Sequence, residues 1–216
     1  MPRSPIRSPQ DLIGKTVATP KGAHFQLRAL LAKHGIPEDK VNVKIIGADY
    51  SLLVRGDVDT VAGWFTNTKA LEVLGPDVIT MRFWDVGIRV YANTYYVSDK
   101  GLDENFDTIA GFIRAASKGW AYVYNNPEKA VDLLVKEYPN LDREVELKTV
   151  PIIRELAYND ATKKGGWGTM EKENWAQQIK DYAAIDQFKG RTVPAVDDVM
   201  TLSVLGATAE ARPKLG

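Results

Sequence analysis

The sequence has no cysteine, no long apolar run and no excess of charge of either sign. Without cysteine, disulfides, thiolate metal sites and cysteine nucleophiles are excluded. Lys+Arg and Asp+Glu each number 28, so no net field draws the chain to nucleic acid or to an anionic membrane. No stretch approaches the ~20 apolar residues of a membrane span, and the first residues lack the apolar core of a signal peptide. We therefore expect no nucleic-acid partner and no export signal in this chain.

Catalytic signatures are also missing. The sequence has no P-loop, no GxGxxG and no GxSxG nucleophile elbow. The two histidines, His24 and His34, are ten residues apart and lack the spacing of a metal-binding helix. Paired carboxylates such as Asp57 and Asp59 lie in turn-like contexts, where solvated side chains are the default. The interpretation is that the protein is not an enzyme and uses neither a metal nor a cofactor.

What is present is an alternation of short strand-like and helical segments over the first hundred residues. This alternation predicts an α/β sheet whose parallel strands are joined by right-handed crossovers. In such sheets, ligands bind beyond the carboxyl ends of the strands. The predicted strands are 16–18, 41–46, 59–64 and 78–83, followed by a β-rich run over 90–97, and the predicted helices are 23–34, 49–55 and 67–74.

After residue 100 the apolar spacing becomes helical. The predicted helices are 104–124, 127–138, 142–157 and 170–183. Pro151 lies inside the third of these, so we expect that helix to be kinked or split there. A short strand is predicted near 192–193.

The first candidate site motif is TPKGAHF, residues 19–25, where a strand runs into a helix. Free N–H groups at a helix start can receive a carboxylate, a sulfonate or a polarised carbonyl. On this interpretation Gly22, Ala23 and His24 contact a ligand. The alternative is an ordinary strand-to-helix turn that contains a glycine.

The second motif is GWFTN, residues 63–67, where the chain leaves the third strand. An aromatic ring, from Trp64 or Phe65, is suited to stack on a flat ligand, and Asn67 to hydrogen-bond to its edge. Alternatively Trp64 belongs to the core, and Thr66 or Asn67 only caps the next helix.

The third motif is the aromatic run of residues 83–96. In a strand, alternation would place Tyr91, Asn93 and Tyr95 on one face. Aromatic residues at strand positions are more often core than site. Tyr91 and Asn93 are the two that we predict to contact a ligand.

These segments, in their order and spacing, resemble periplasmic solute-binding proteins that feed ABC importers. The relevant branch includes binders of thiamine-precursor pyrimidines, riboflavin, nitrate, taurine and alkanesulfonates. The similarity runs from about residue 4 to about residue 206. One departure is Thr68, which stands where the pyrimidine binders often have an acidic residue. The matching segments are SPQDLIGKTV at 8–17, LVRGDVD at 53–59, GWFTN at 63–67, DVGI with YAN at 85–93, and FIRA, GW and NPEKA within 112–130.

The resemblance implies a type II periplasmic-binding fold in which ligand is held between two α/β lobes. Residues 8–92 would form the second lobe, and residues 93–216 would return to the first lobe and supply the carboxy-terminal helices. The family carries a signal peptide and most of the first lobe upstream, so we expect the amino-terminal part to be missing and the first lobe to be incomplete. The resemblance also implies periplasmic localisation and a permease partner at the membrane. A dimer is one arrangement that an incomplete first lobe allows.

The aromatic residues favour a small heteroaromatic ligand, similar to a thiamine-precursor pyrimidine. The first alternative is a small anion such as a sulfonate, taurine or nitrate, for which Lys21 and the helix start supply donors. The second alternative is a pyrimidine-biosynthesis enzyme of the same fold. The yeast-type synthases of that kind use a cysteine-rich motif, which this chain lacks.

Overall fold

A computed structural model describes residues 6–47 and 49–215. The chain forms two units. The first runs to Val90 and takes in Lys172–Val199, and the second comprises Tyr91–Glu171 and the chain from Met200 onward. Residues 172–199 therefore lie in the first unit, and the lobes expected over 8–92 and 93–216 stay a prediction.

The first unit contains a three-stranded parallel sheet of order β2-β1-β3. The strands are β1 Thr16–Pro20, β2 Asn42–Ile46 and β3 Thr60–Val61. Thr16 pairs with Asn42 at the start of the β1–β2 ladder, and Val17 pairs with Thr60 on the β3 side. The parallel α/β architecture that the sequence predicted is confirmed.

The described residues form ten α-helices, and every helix that the sequence predicted is present. They are α1 His24–Lys33, α2 Ser51–Arg55, α3 Thr68–Glu72, α4 Asp99–Glu104, α5 Phe106–Asn125, α6 Pro127–Glu137, α7 Arg143–Ala157, α8 Asp160–Gly165, α9 Lys172–Ala183 and α10 Ser203–Ala207. α7 continues through Pro151, so the helix is not split there. A proline within a helix removes one backbone donor, and at this position the helix tolerates the loss.

The core of the first unit lies between the sheet and α1. Leu27, Leu30 and Leu31 are at most 2% exposed, because the 3.6-residue helical period turns them toward the sheet. Val17 of β1 packs in the same cluster. Helix α1 is therefore held firmly behind the central strand.

Helix α9 joins this core, which explains why 172–199 belongs to the first unit. Its Tyr182 packs edge-on against Phe25 with ring centroids 5.3 Å apart. Ile185, just beyond its end, is 5% exposed in the same cluster. Asp181 forms an ion pair with Lys33 of α1 at 3.1 Å. The amphipathic pattern of the helix was visible in the sequence, but the partner of its apolar face was not.

The strands predicted over 78–83 and 192–193, and the β-rich run over 90–97, are wrong: the described residues there are turns and irregular structure. Over 82–88 the backbone groups bond locally, with the Ile88 N–H donating to the Phe83 carbonyl at 2.8 Å. The His34 ring also lies 2.8 Å from the Val86 carbonyl oxygen. In the run over 90–97, Asn93 has a φ of 55°, which an extended strand does not accommodate. Strand propensity depends on having a strand to pair with.

Within residues 6–47 and 49–215, no helix combines the length and hydrophobicity that a membrane span requires.

Candidate functional site

The carboxyl ends of β1 and β3 bring two of the predicted motifs to one edge of the sheet. The strands are neighbours and parallel, and the Ala62 N–H donates to the Ala18 carbonyl at 2.7 Å, extending their pairing beyond Val61. Residues 21–24 follow β1 directly, and residues 63–67 follow β3. The structure therefore places Gly22, Ala23 and His24 at the same edge as Trp64, Phe65 and Asn67.

The segment after β1 offers backbone donors. Lys21–Ala23 forms a single 3₁₀ turn that continues into α1, and the His24 N–H donates to the Lys21 carbonyl. The N–H groups that precede this bond have no partner within the helix. Gly22 is exposed, Ala23 is buried and His24 is half-buried. The predicted donor turn therefore exists, with its glycine open to solvent.

The segment after β3 presents the Trp64 side chain to solvent. The side chain is 52% exposed, so the alternative that placed it in the core does not hold. The Trp64 carbonyl accepts the Asn67 N–H at 3.0 Å, which closes a turn, and the Asn67 carbonyl then accepts the Leu71 N–H to begin α3. Asn67 occupies the N-cap position, yet its side chain makes no capping hydrogen bond within the described part of the chain. The side-chain amide is thus not used to cap α3.

Phe65 is placed differently from Trp64. The Arg82 guanidinium lies 5.1 Å from the centroid of the Phe65 ring, in a cation–π contact. Phe65 is also half-buried. Of the two aromatic rings, Trp64 is the one that has an open face for stacking.

Tyr50 is a residue of this edge that sequence reasoning missed. Its side chain is 2% exposed, and its hydroxyl accepts the Trp64 backbone N–H at 3.3 Å. Nothing in the sequence distinguishes Tyr50 from an ordinary core tyrosine. The one available signal was Gly63, because a glycine at the end of a strand can mark a place where another group approaches the backbone closely.

Charges at this edge are mixed. After β2, Asp49 accepts the Ser51 N–H at 2.9 Å. Hydrogen bonding from the Ser51 hydroxyl, and then from its backbone N–H, holds the pKa of the Asp49 carboxyl below its usual value. After β1, Lys21 is exposed. Among the described residues, no group of three or more His, Asp or Glu side chains is arranged to hold a metal ion.

The remaining predicted residues, Tyr91 and Asn93, lie in the second unit. The Tyr91 hydroxyl accepts the Glu171 N–H at 2.9 Å, and the ring is half-buried. Asn93 is exposed, and its left-handed φ is a conformation that asparagine adopts more readily than most residues. Each residue therefore has a structural role that does not involve a ligand, and their ligand contacts stay predictions.

Two shallow depressions lie in the second unit. One is lined by Ala209, Glu210 and Arg212–Lys214, and the other by residues 103–108. Neither contains a predicted site residue.

Comparison with solved structures shows that the chain has the fold of periplasmic binding proteins of the SsuA type. The chain superimposes on the periplasmic aliphatic sulphonate binding protein SsuA from Escherichia coli with a TM-score of 0.64, at 18% identity, covering 95% of this chain and 68% of that one. It also superimposes on the alkanesulfonate-binding protein SsuA from Xanthomonas axonopodis pv. citri, solved with MOPS, with a TM-score of 0.52 and 18% identity, covering 94% and 66% of the two chains. At this identity the likeness concerns the fold, and it confirms the predicted fold class.

The chain belongs to the NMT1/THI5 like family, whose model matches residues 1–130. It is 27% identical over 182 residues to the formylaminopyrimidine-binding protein of Halalkalibacterium halodurans, covering 80% of this chain and 54% of that protein. It is 26% identical over 185 residues to the riboflavin-binding protein RibY of Chloroflexus aurantiacus, covering 80% and 51%. The chain thus spans about half the length of the curated relatives that it matches, and those relatives are named as binding proteins.

Proposed function

We propose that this protein is a solute-binding component of an ABC importer that captures a small heteroaromatic ligand. One observation carries the proposal: the 52% exposed Trp64 side chain lies at the carboxyl edge of a parallel sheet, beside the helix start that follows β1. Ligands of open α/β sheets bind at such edges. The permease partner and the periplasmic location belong to this proposal and rest on family membership.

The chemistry of the edge favours a flat, neutral ligand. Trp64 offers a face for stacking, and Asn67 offers an amide that both donates and accepts hydrogen bonds. The two curated relatives are named for formylaminopyrimidine and riboflavin, both flat heteroaromatic molecules. A small anion would favour a concentration of positive charge, whereas Lys21 shares this edge with the carboxylate of Asp49.

The proposal is tested by measuring binding to the purified chain. Riboflavin and formylaminopyrimidine are the expected ligands, and taurine, an alkanesulfonate and nitrate represent the anion alternative. A ligand at a hundred times its dissociation constant should stabilise the folded state by about 2.7 kcal/mol, which a thermal-shift assay detects. Isothermal titration calorimetry then gives the affinity.

The Trp64→Ala variant tests the site itself. Loss of stacking should weaken heteroaromatic binding by roughly tenfold, since aromatic pairs contribute about 0.5–1.5 kcal/mol beyond the buried area. Trp84→Ala is the matched control, because Trp84 is 41% exposed in the same unit but is not one of the residues predicted to contact the ligand. Equal losses in the two variants would contradict the assignment of Trp64.

The other outcomes separate the alternatives. Binding of anions alone would replace the heteroaromatic proposal with the anion alternative. Conversion of a bound pyrimidine into a product, detected by mass spectrometry, would support the alternative of a pyrimidine-biosynthesis enzyme. Absence of any shift across the panel would overturn the proposed function for this chain.

A further inference from the structure

Tyr50 lies in the turn between β2 and α2, and its backbone is held in place by two hydrogen bonds. The Ser51 N–H donates to the Asp49 carboxylate at 2.9 Å, and the Leu53 N–H donates to the Tyr50 carbonyl at 3.1 Å. The Tyr50 ring is among the largest fully buried side chains of the described residues. Its rotamer is therefore fixed by packing, and its hydroxyl has a defined position.

That hydroxyl lies against the segment that follows β3. It accepts the Trp64 N–H at 3.3 Å. A Cβ atom at position 63 would overlap the hydroxyl and come within 2.5 Å of the Tyr50 Cζ. Gly63 does not have a positive φ, so the glycine is required here by the closeness of Tyr50 and not by the backbone conformation.

The sheet itself leaves this segment weakly constrained. β3 has only two residues, and the last hydrogen bond between β1 and the segment after β3 is made by the Ala62 N–H. Trp64 therefore lies two residues beyond the ladder. A backbone group at that distance from the last paired residue needs another partner to hold its position.

We propose that Tyr50 is a positioning residue for ligand recognition: its buried hydroxyl fixes the Trp64 backbone, so that the indole is presented at the edge of the sheet. Tyr50 comes after β2 and Trp64 after β3, so one side chain connects the segments that follow the two outer strands. Pre-organisation of this kind increases affinity by reducing the ordering that binding requires. The inference rests on the proposed function for its ligand, but its geometry is testable without one.

The first experiment measures hydrogen exchange of the Trp64 backbone amide by NMR, with Tyr50→Phe as the test variant. Phenylalanine retains the buried ring and removes the acceptor, so we expect Trp64 amide exchange to accelerate several-fold while the melting temperature changes little. Tyr182→Phe is the control, because Tyr182 is a half-buried tyrosine of the same unit whose ring packs against Phe25. It should leave Trp64 exchange unchanged.

The second experiment measures the dissociation constants of riboflavin and formylaminopyrimidine for the same variants. Tyr50→Phe should weaken binding about three- to tenfold, the range expected for loss of one hydrogen bond. Tyr182→Phe should bind as the unmodified chain does. Unchanged Trp64 exchange, or unchanged affinity despite faster exchange, would overturn the positioning role and leave the proposed function intact.

A pair of larger changes tests the close packing. Gly63→Ala should lower the melting temperature and accelerate Trp64 exchange, because the added methyl group displaces the Tyr50 ring. Tyr50→Ala removes the ring that the added methyl group would meet. Adding Gly63→Ala to that variant should therefore lower the melting temperature by less than Gly63→Ala does alone. Additive decreases in melting temperature would contradict the contact. If the unmodified chain binds no probe, the proposed function fails, and the exchange measurements still decide whether Tyr50 holds Trp64.

Discussion

The two units of the chain bury their apolar residues to different extents. In the first unit a sheet, α1 and α9 enclose one cluster of eleven buried residues, which includes Leu30 and Leu31 at 1% exposure. In the second unit the buried cluster consists of Ala110, Ile113 and Val204. A sheet covered by a helix encloses side chains on a whole face, whereas helices alone bury only the stripes along which they meet.

Both units nevertheless expose large apolar side chains. In the second unit Leu133 is 58% exposed and Tyr138 is 55%, and in the first Ile45 is 51% exposed and Trp64 is 52%. Aromatic rings also pack against one another in the second unit: Tyr95 lies edge-on to Phe112 at 5.1 Å, and Trp120 stacks on Trp167 at 6.1 Å. Exposure alone therefore does not distinguish Trp64, whereas its position just after β3, at the carboxyl edge of the sheet, does.

The largest expected effect is in the core of the first unit. Leu30→Ala should reduce the free energy of unfolding by about 3 kcal/mol, because it leaves a cavity beside the sheet. Ile113→Ala, in the smaller cluster of the second unit, should reduce it by about 2 kcal/mol. Urea denaturation followed by circular dichroism measures both losses. A larger loss for Ile113→Ala would show that the second unit is the better packed of the two.

The next effect concerns Arg212, which holds the glycine-rich loop of the second unit. Its guanidinium donates to the carbonyls of Gly166, Trp167 and Leu205 at 2.8–3.2 Å, with the whole residue 7% exposed. Burial lowers the pKa of Arg212. Arg212→Met should leave these carbonyls unpaired and destabilise the protein by about 2 kcal/mol.

A matched control for that change is Arg55→Met in the first unit, where an exposed arginine bonds to Asp57 and Ser51. Surface pairs of this kind contribute little, so its effect should be under about 1 kcal/mol. The Arg212 variant should also alter the near-ultraviolet circular dichroism, since Trp167 lies in the loop. An unchanged spectrum with unchanged stability would contradict the role of Arg212.

A smaller effect depends on pH. Burial raises the pKa of Tyr158 from 10.0 to about 12, and its hydroxyl has no hydrogen-bond partner among the described residues. Between these values the unfolded chain releases the Tyr158 proton and the folded chain keeps it, so stability falls as pH rises. Tyr158→Phe should therefore lose less stability than the unmodified chain between pH 9 and pH 11, by on the order of 1 kcal/mol.

Denaturant titrations at the two pH values measure that difference. Tyr96→Phe is the control, because Tyr96 is 94% exposed. It should follow the unmodified chain at both pH values. A Tyr158 variant with the same pH dependence as the control would show that the Tyr158 phenol is not shielded from water.

The smallest expected effect is that of Trp64→Ala on stability. An exposed side chain at a sheet edge contributes little to packing, so the change should stay within about 0.5 kcal/mol. Trp167→Ala, which truncates a 9% exposed tryptophan in the second unit, should cost several times more. Comparable losses would mean that Trp64 packs in solution more closely than its exposure indicates.

Local patterns in the sequence were sufficient to predict seven of the ten helices of the described residues and three of the strands, while the short helices α4, α8 and α10 were not predicted. Helical spacing from Phe25 to Leu31 and the stop at Gly35 predicted α1, and the β-branched residues of 41–46 predicted β2. The wrong strand predictions were the segments at 78–83, 90–97 and 192–193. Their composition favours strands, but a strand exists only where another strand offers its backbone groups.

The candidate site, too, could be predicted from the sequence only in part. The motifs at 22–24 and 63–67 could be placed at one sheet edge from the order of strands and helices, because parallel strands end on the same side. The Tyr50 contact could not, since it joins residues fourteen positions apart through a side-chain rotamer. The exposure of Trp64 and the cation contact of Phe65 also depend on packing.

The sequence by itself determined the longer helices, the alternation of strands and helices in the first unit and the family motifs, because these depend on residue spacing and local backbone preferences. Tertiary structure alone decided that α9 returns to the first unit, that Trp64 faces solvent and that the Tyr50 hydroxyl accepts the Trp64 N–H. Each of these depends on which distant surface a side chain meets, and that choice is made by the free energy of the whole packed arrangement.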